Sequence, residues 1–451
     1  MSAGFGRRFV PARRRLLRLW LHWRRRLIFW LGAVTTGAVA VGFAWGSDVA
    51  LRLWHGAAGR WPIWTWTAPA LSLGLVTWLT RRVFPGAEGS GIPQTIAALS
   101  LREPQQRDVL LSLRIASGKL LLTILALAGG ASVGREGPTV QVGASIMHSL
   151  RRLARFHATD VDRGLILAGG AAGVAAAFNT PLAGIVFALE ELSRSFEERT
   201  SGTMLMAVIL AGVTSVALAG NYTYFGVSQA VMPQPSMWLA VPACGAAGGL
   251  LGGLFSRAMI GMARGLPGRL GAWQLHRPIV FAAGCGLCLS ALGWAANGAT
   301  FGTGYQQARE IVQHGAMPVH GFALWKALAT LVSYVAGIPG GIFAPSLAVG
   351  AALGSELGPW LPMTPYGAVV VLTMAAYFAG VVQAPLTALV IVTEMTGNRG
   401  LTLPLMGAVL IGRGASASVC RQGLYRTLAR PFLAASTAPL RGARAPRGAR
   451  A

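Results

Sequence analysis

The sequence predicts an all-α integral membrane protein built from two inverted-topology repeats with tilted and broken helices. Three observations carry this expectation. The 451 residues are 53% apolar and only 12% charged, about half the roughly 25% charged residues of a soluble domain. The mean hydropathy is +0.54, which excludes both a soluble core and a disordered chain. Short Gly- and Pro-rich motifs in the first half return, in order, in the second.

Taken in chain order, residues 1–26 form a basic arm, with nine arginines between Arg7 and Arg26. Eight more lie between Arg413 and Arg450, and the formal charge is +25. In a soluble protein that balance would suggest nucleic acid. Here both clusters flank apolar segments and no RNA- or DNA-reading motif accompanies them, so no nucleic-acid partner is expected. They read instead as cytoplasmic flanks lying near anionic lipid. Both termini are then cytoplasmic and the number of crossings is even. The first apolar stretch, 27–45, carries Ala38 and Ala40 as a cleavage-like pair, but so many spans follow that it reads as an uncleaved first helix.

Further apolar segments lie at about 62–80, 110–131, 164–192, 203–220, 236–262, 278–296, 321–353, 367–393 and 401–418. Several are broken by Gly and Pro or exceed one bilayer width, as tilted, interrupted or re-entrant helices do. A first transmembrane repeat is placed at 27–200, with a polar connector around 194–200, and a second at 201–430. The tail, 431–451, is too short and too poor in apolar residues to form a domain. Cys244, Cys285, Cys288 and Cys420 sit in or beside apolar sequence. Only Cys285 and Cys288 are closely spaced, with no second pair and no nearby histidine, so small core residues are expected, with no metal and no cofactor.

The repeat is legible residue by residue. GREGPTVQVGASI at 134–146 echoes GIFAPSLAVGAAL at 341–353, with Gly134/Gly341, Pro138/Pro345, Val142/Val349, Gly143/Gly350 and Ala144/Ala351 in register. PLAGIVFALEE at 181–191 echoes PLTALVIVTEM at 385–395, pairing Pro181 with Pro385 and Glu190 with Glu394. The offsets are 207 and 204 residues, close to half the chain. Such repeats characterise secondary transporters and related channels. If each half crosses an odd number of times, the halves are inverted, and their even sum agrees with both termini on one side. Matching helix breaks then meet near the midplane, where helix N-termini can face an anion.

Three segments carry candidate chemistry: GSGIPQ at 89–94, GREGP at 134–138 and GIFAP at 341–345. Each joins glycine, which permits left-handed backbone, to a proline suited to a first helical turn. Singly, each is an ordinary helix start. Together, with a glutamate inside one, they predict broken helices whose free N–H groups converge. Such N–H groups and a hydroxyl can replace water around a monovalent anion without a fixed countercharge, giving the weak grip that conduction requires.

GSGIP, GREGP and GIFAP, with the tyrosine of GLYRTLA at 423–429, resemble the motifs of the CLC family of chloride channels and chloride/proton antiporters, in family order over residues 86–429. The resemblance implies that Ser90 offers its hydroxyl to a central chloride. It implies the same of the backbone N–H groups of Ile342 and Phe343 and of the Tyr425 phenol. Glu136 would be the external gating glutamate, in a turn shaped by Arg135, Gly137 and Pro138. Glu191 would be the internal proton-transfer glutamate of many antiporters. Lys119 falls at the spacing of a basic residue near the pathway, either electrostatic or structural. Glu394, repeat partner of Glu190, reads as structural. The family also implies a homodimer with one pathway per subunit, here in a bacterial inner membrane. The chain departs from the family at Gln94, where many relatives carry Glu, at Ile96, acidic in some antiporters, and at Gly423, usually proline. It has no room for the C-terminal nucleotide-binding modules of many eukaryotic relatives.

The expected function is proton-coupled chloride exchange, in which a chloride ion and the Glu136 carboxylate contend for one position. The alternative is a passive voltage- or pH-gated chloride channel of the same fold. Ser90 keeps the chloride-type residue, against a fluoride or nitrate preference. An enzyme is not expected, because Ser90 lacks a paired general base and there is no HExxH or GxSxG motif.

Overall fold

The computed structural model describes residues 12–154, 159–193 and 198–437. The first half comprises α1 (Ala12–Arg60), α2 (Trp64–Arg82), α3 (Ile92–Ser100), α4 (Pro104–Asp108), α5 (Leu113–Ala128), α6 (Glu136–Ala154), α7 (Thr159–Phe178), α8 (Pro181–Phe187) with a π-helical extension Ala188–Ser193, and α9 (Glu198–Ala219). The second half comprises α10 (Ala240–Ala263), α11 (Gly268–His276), α12 (Pro278–Ala295), α13 (Tyr305–His314), α14 (Phe322–Val335), α15 (Phe343–Leu357), α16 (Tyr366–Val382), α17 (Pro385–Thr396), α18 (Thr402–Val419) and α19 (Leu424–Thr437). No β-strand occurs among the described residues. Seven helical stretches among them are long and apolar enough to cross a membrane, and α14, α16 and α17 are shorter apolar helices.

Helix lengths follow the punctuation of the sequence. Pro181, Pro278 and Pro385 each open a helix, where the missing N–H is an orphan in any case. The nine residues of α3 reach about 14 Å at 1.5 Å per residue, less than half of a ~30 Å hydrocarbon core, so this is a broken element. At the other extreme, α1 has 49 residues. It begins inside the basic arm, so from Ala12 the arm and the first span share one helix. The proposed tail likewise starts within α19, whose Phe432 and Leu433 pack on the core. The rest of the arm (1–11), the rest of the tail (438–451) and residues 194–197 of the connector lie outside the described residues.

The two halves pack alike. α6 lies on α7 as α15 lies on α16, α7 meets α9 as α16 meets α18, and α2 contacts α12 across the halves. α16 is buried along Ala368–Val382, and glycines let the helices approach. A Cβ on Gly143 or Gly169, where α6 crosses α7, would strike the facing backbone, a contact that only glycine allows. The halves also hold each other reciprocally. Gly134 N–H donates to Gly341 O and Gly341 N–H to Gly134 O, each at 2.6 Å. The Glu190 carboxylate caps the first turn of α17 at Leu386 and Thr387 (3.2 and 2.7 Å), and Glu394 caps the first turn of α8 at Leu182 and Ala183 (3.3 and 2.7 Å). Exchanged contacts of this kind mark a pseudo-two-fold relation.

One side of the molecule is rich in arginine. Arg24, near the start of α1, donates to Leu153 O at the end of α6 (2.9 Å). On the same side Arg107 braces the end of α3 through Leu101 O (3.2 and 2.7 Å) and pairs with Asp162 at 2.6 Å. His148 bridges Asp162 (2.6 Å) and Asp108 (3.0 Å), and Arg151 and Arg152 close on Asp108. The buried ions are thus paired, as burial demands.

Candidate functional site

The turn before α3 sets the geometry. Gly89 and Gly91 have φ of +64° and +97°, values that a side chain resists, and they turn Ser90 inward, where it is 2% exposed. Two groups pin this turn. Lys119 on α5, wholly buried, donates to Glu88 O and Gly89 O, both at 2.9 Å. Gln94 accepts from Gly91 N–H at 3.1 Å and donates to Glu88 O at 2.5 Å. The second bond requires an amide, so the departure at Gln94 has a structural use that an ionised glutamate could not serve.

α6 and α15 open against each other across the Gly134–Gly341 bridge. Their first-turn N–H groups have no intrahelical acceptor. A Cβ on Gly137 would strike Ser90 Oγ and come within 2.8 Å of Ser90 O, so the starts of α3 and α6 converge. Pro138 adds no donor there. Arg135 turns away, donating to Ala44 O (2.8 Å) and Asp48 (2.7 Å) on α1, and so ties this turn to the first helix. Ile342 and Phe343 are 2% and 1% exposed.

Glu136 is fully buried. Its Oε1 accepts from the Tyr224 hydroxyl at 3.0 Å, and a Cβ on Gly134 would touch both its Oε2 and Pro345 Cδ in the first turn of the opposing helix. The acid is therefore seated at the N-terminus of α15, where that helix's partial positive charge lies. Tyr425 on α19 is also fully buried. Its ring centroid is 5.8 Å from that of Phe343, and its phenol lies within Coulombic range of both Glu136 and Glu191. Among the described residues none hydrogen-bonds to Ser90 Oγ, Glu136 Oε2 or Tyr425 OH. Buried polar atoms are nearly always paired, and each orphan costs about 1–3 kcal/mol. The two hydroxyls can each donate a hydrogen bond, whereas the carboxylate oxygen can only accept one.

The structure therefore brings Ser90, Glu136, Gly137, Pro138, Ile342, Phe343 and Tyr425 together and sets Lys119 and Arg135 behind them. Glu191 stands apart, on the π-helical turn after α8, a distortion often found at functional positions. It is 1% exposed, and its neighbours Leu192 and Ser193 line a cavity of about 170 Å³ on the arginine-rich side, with Ile96, Ser100, Arg163 and Arg426. On the other side a cavity of about 450 Å³ is lined by Asp48, Arg52, His55, Arg135, Thr303 and Tyr305. Sequence reasoning missed two residues. Tyr224 stands in the α9–α10 connector, where no periodicity or motif marks it. Lys326 on α14 holds Ser132 Oγ, Thr300 O and Gly302 O at 2.9, 2.8 and 2.7 Å. It lies 207 residues after Lys119, the offset already visible in the glycines, and these two are the chain's only lysines.

Residues 72–417 match the family described as voltage gated chloride channel. The chain belongs to this family, the CLC proteins. Among solved CLC structures it is similar to a slow cyanobacterial Cl−/H+ antiporter, with a TM-score of 0.78 and 24% identity over 91% of this chain and 98% of that one. It is also similar to a CLC-type fluoride/proton antiporter, with a TM-score of 0.73 and 24% identity over 89% and 96% of the two chains. A eukaryotic CLC transporter matches with a TM-score of 0.73 and 23% identity over 90% and 74%. The expected CLC fold of broken helices in two inverted repeats is thus the fold found.

Proposed function

We propose that this CLC protein exchanges chloride for protons, with Glu136 as the gate. One observation carries the reading: the Glu136 carboxylate is seated among the same donors that suit an anion, at the start of α15 and beside the orphaned hydroxyls of Ser90 and Tyr425. Two negative charges cannot share that position cheaply. Ser90, Tyr425 and the Ile342 and Phe343 amides hold chloride once the carboxylate has left. Protonation removes the charge of Glu136 and frees the position. Glu191, next to the cavity on the arginine-rich side, loads protons from the cytoplasm. Lys119 supplies a fixed positive charge and rigidity, and Arg135, Gly137 and Pro138 shape the gate turn.

The arginine-rich side is the cytoplasmic side of a bacterial inner membrane, by the distribution of charge, with both termini there and anionic lipid around them. The halves divide near residue 200. The protein acts as a homodimer with one pathway per subunit. Leu182 and Leu386, beside the two exchanged caps, are 61% and 56% exposed, and a second copy on this face would cover the half-buried Glu190 and Glu394.

The test is chloride efflux from liposomes with simultaneous pH recording. Glu136→Gln is expected to keep chloride flux and lose proton pumping, and Glu191→Gln to stop protons while sparing chloride. Proton pumping by Glu136→Gln at the wild-type ratio would remove the gate assignment. One feature favours the passive-channel reading: the inner cavity has Ile96 and two arginines on its walls and no carboxylate among its described lining residues. A reversal potential that ignores a proton gradient would decide for the channel.

A further inference from the structure

The Tyr224–Glu136 bond joins two side chains that the chain separates by 88 residues. Tyr224 is 1% exposed, and its ring is boxed by three others. Phe178 lies at 5.5 Å, Phe225 at 5.2 Å and Tyr305 at 4.6 Å, all edge-on. The connector that carries it is stitched down on both flanks. Asn179 donates to Tyr222 O, Phe225 N–H to Met395 O and Ser228 N–H to Thr396 O, each at 2.9 Å. The phenol is therefore a pre-placed donor that needs no reorganisation to meet the carboxylate. The aromatic contact continues from Phe178 to Phe343 (6.0 Å) and on to Tyr425, and at the other end Tyr305 lines the outer cavity. One packed row thus runs from the outer cavity, past Glu136, to the inner phenol.

We propose that Tyr224 is a positioning residue for the gate: its hydroxyl holds the charged Glu136 carboxylate in its seat and so sets the pH at which the seat is released. The inference rests on the reading of Glu136 as the gate. A hydroxyl donating to a carboxylate favours the charged form of the acid. The other groups facing this acid are Arg135 on its own turn, the Ala344 amide of α15, Tyr222 of the connector, Tyr425 of α19, and, through Arg135, Asp48 of α1. None of these changes when the Tyr224 hydroxyl is removed and its ring is kept.

Tyr224→Phe does that. Chloride efflux from liposomes between pH 4.5 and 8 is expected to keep its maximum, with the half-activating pH raised by about one unit, the size of one charge-assisted hydrogen bond. Tyr222→Phe, in the same connector, is expected to leave the profile in place. In a Glu136→Gln background Tyr224→Phe is expected to change nothing. An unshifted Tyr224→Phe profile, or a shift that persists in the Glu136→Gln background, overturns the role of Tyr224 and leaves the gate reading standing. A Glu136→Gln protein that still pumps protons overturns both. If Tyr224→Phe does not survive extraction, 3-fluorotyrosine at 224, a stronger donor, is expected to move the profile to lower pH, and an unmoved profile overturns the proposal.

Discussion

The turns Gly134–Pro138 and Gly341–Pro345 are the same piece of backbone used twice. Each opens a helix toward the centre, each ends on proline, and each accepts from and donates to the other at 2.6 Å. Their side chains differ. Arg135 and Glu136 in the first stand where the second has Ile342 and Phe343. The first turn thus carries a titratable group and a guanidinium tied to α1, whereas the second carries apolar side chains that pack into an aromatic cluster with Phe178, Phe187 and Phe378. Duplication supplies two helix starts that face one another. Asymmetry supplies one acid, the single group that in the proposed function contends with chloride for the space between them.

The largest effect expected from breaking this comparison comes from a methyl group on the second turn. A Cβ at Gly341 would lie 2.9 Å from the Gly137 amide nitrogen and 3.2 Å from both Gly134 O and Pro138 Cδ. These atoms belong to the opposing helix start and cannot step aside. At Gly134 the atom struck first is Glu136 Oε2, the tip of a side chain, with Pro345 Cδ at 3.1 Å. Gly341→Ala is therefore expected to abolish a monodisperse gel-filtration peak and chloride flux together. Gly134→Ala is expected to yield folded protein with Glu136 displaced and, under the proposed gating role, with weakened proton coupling. Gly42→Ala, where a Cβ meets nothing within 4 Å, is the control. Equal behaviour of the two turn variants would mean that the backbone match is not what holds them.

The lysines sharpen the comparison one layer out. Lys119 holds two carbonyls behind the Ser90 turn, and Lys326 holds two carbonyls and a hydroxyl behind α13 and the segment leading to Gly134. Methionine fits either space and donates nothing. When Lys119 is lost, Glu88 O and Gly89 O keep second donors, Gln94 Nε2 and the Gly340 amide, whereas Lys326→Met leaves Thr300 O and Gly302 O without a donor among the described residues, at about 1–3 kcal/mol each. Thermal unfolding in detergent is expected to show both destabilised, Lys326→Met more so. The reverse order would mean that the fixed charge beside the Ser90 turn matters more than the number of carbonyls left unpaired.

What could be read beforehand divides along the same line. Helix breaks are local chemistry, so Gly89, Gly91, Pro138 and Pro345 announced them, and Ser90, Glu136 and Tyr425 came with the motifs around them. The echo of Gly134 in Gly341 was visible, and that of Lys119 in Lys326 stood at the same spacing without the motif that would draw the eye. Tyr224 could not be read. Its partner is set by how a connector folds back over α7 and α17, and nothing in GNYTYFG distinguishes an inward phenol from an interfacial one. The start of α1 at Ala12 could not be read for a simpler reason. Arginine is a good helix former, so a basic arm gives no signal for where the helix begins.

The smallest effect is expected at the exchanged caps, where the two halves are most alike. Glu190 accepts from two backbone N–H groups and from Thr387 Oγ at 2.7 Å, whereas Glu394 accepts from two N–H groups alone. Both carboxylates are partly exposed, so solvent weakens each cap toward the lower end of the roughly 0.5–2 kcal/mol that helix caps contribute. Glu190→Ala and Glu394→Ala are each expected to lower the unfolding temperature slightly, Glu190→Ala by more because a hydroxyl is also lost. Neither is expected to change the ratio of protons to chloride. Glu190 adjoins Glu191 in the chain, yet its carboxylate is already spent on the start of α17. A changed coupling ratio in Glu190→Ala, with Glu394→Ala normal, would place Glu190 on the proton path, and the two halves would then differ here as they do between Glu136 and Phe343.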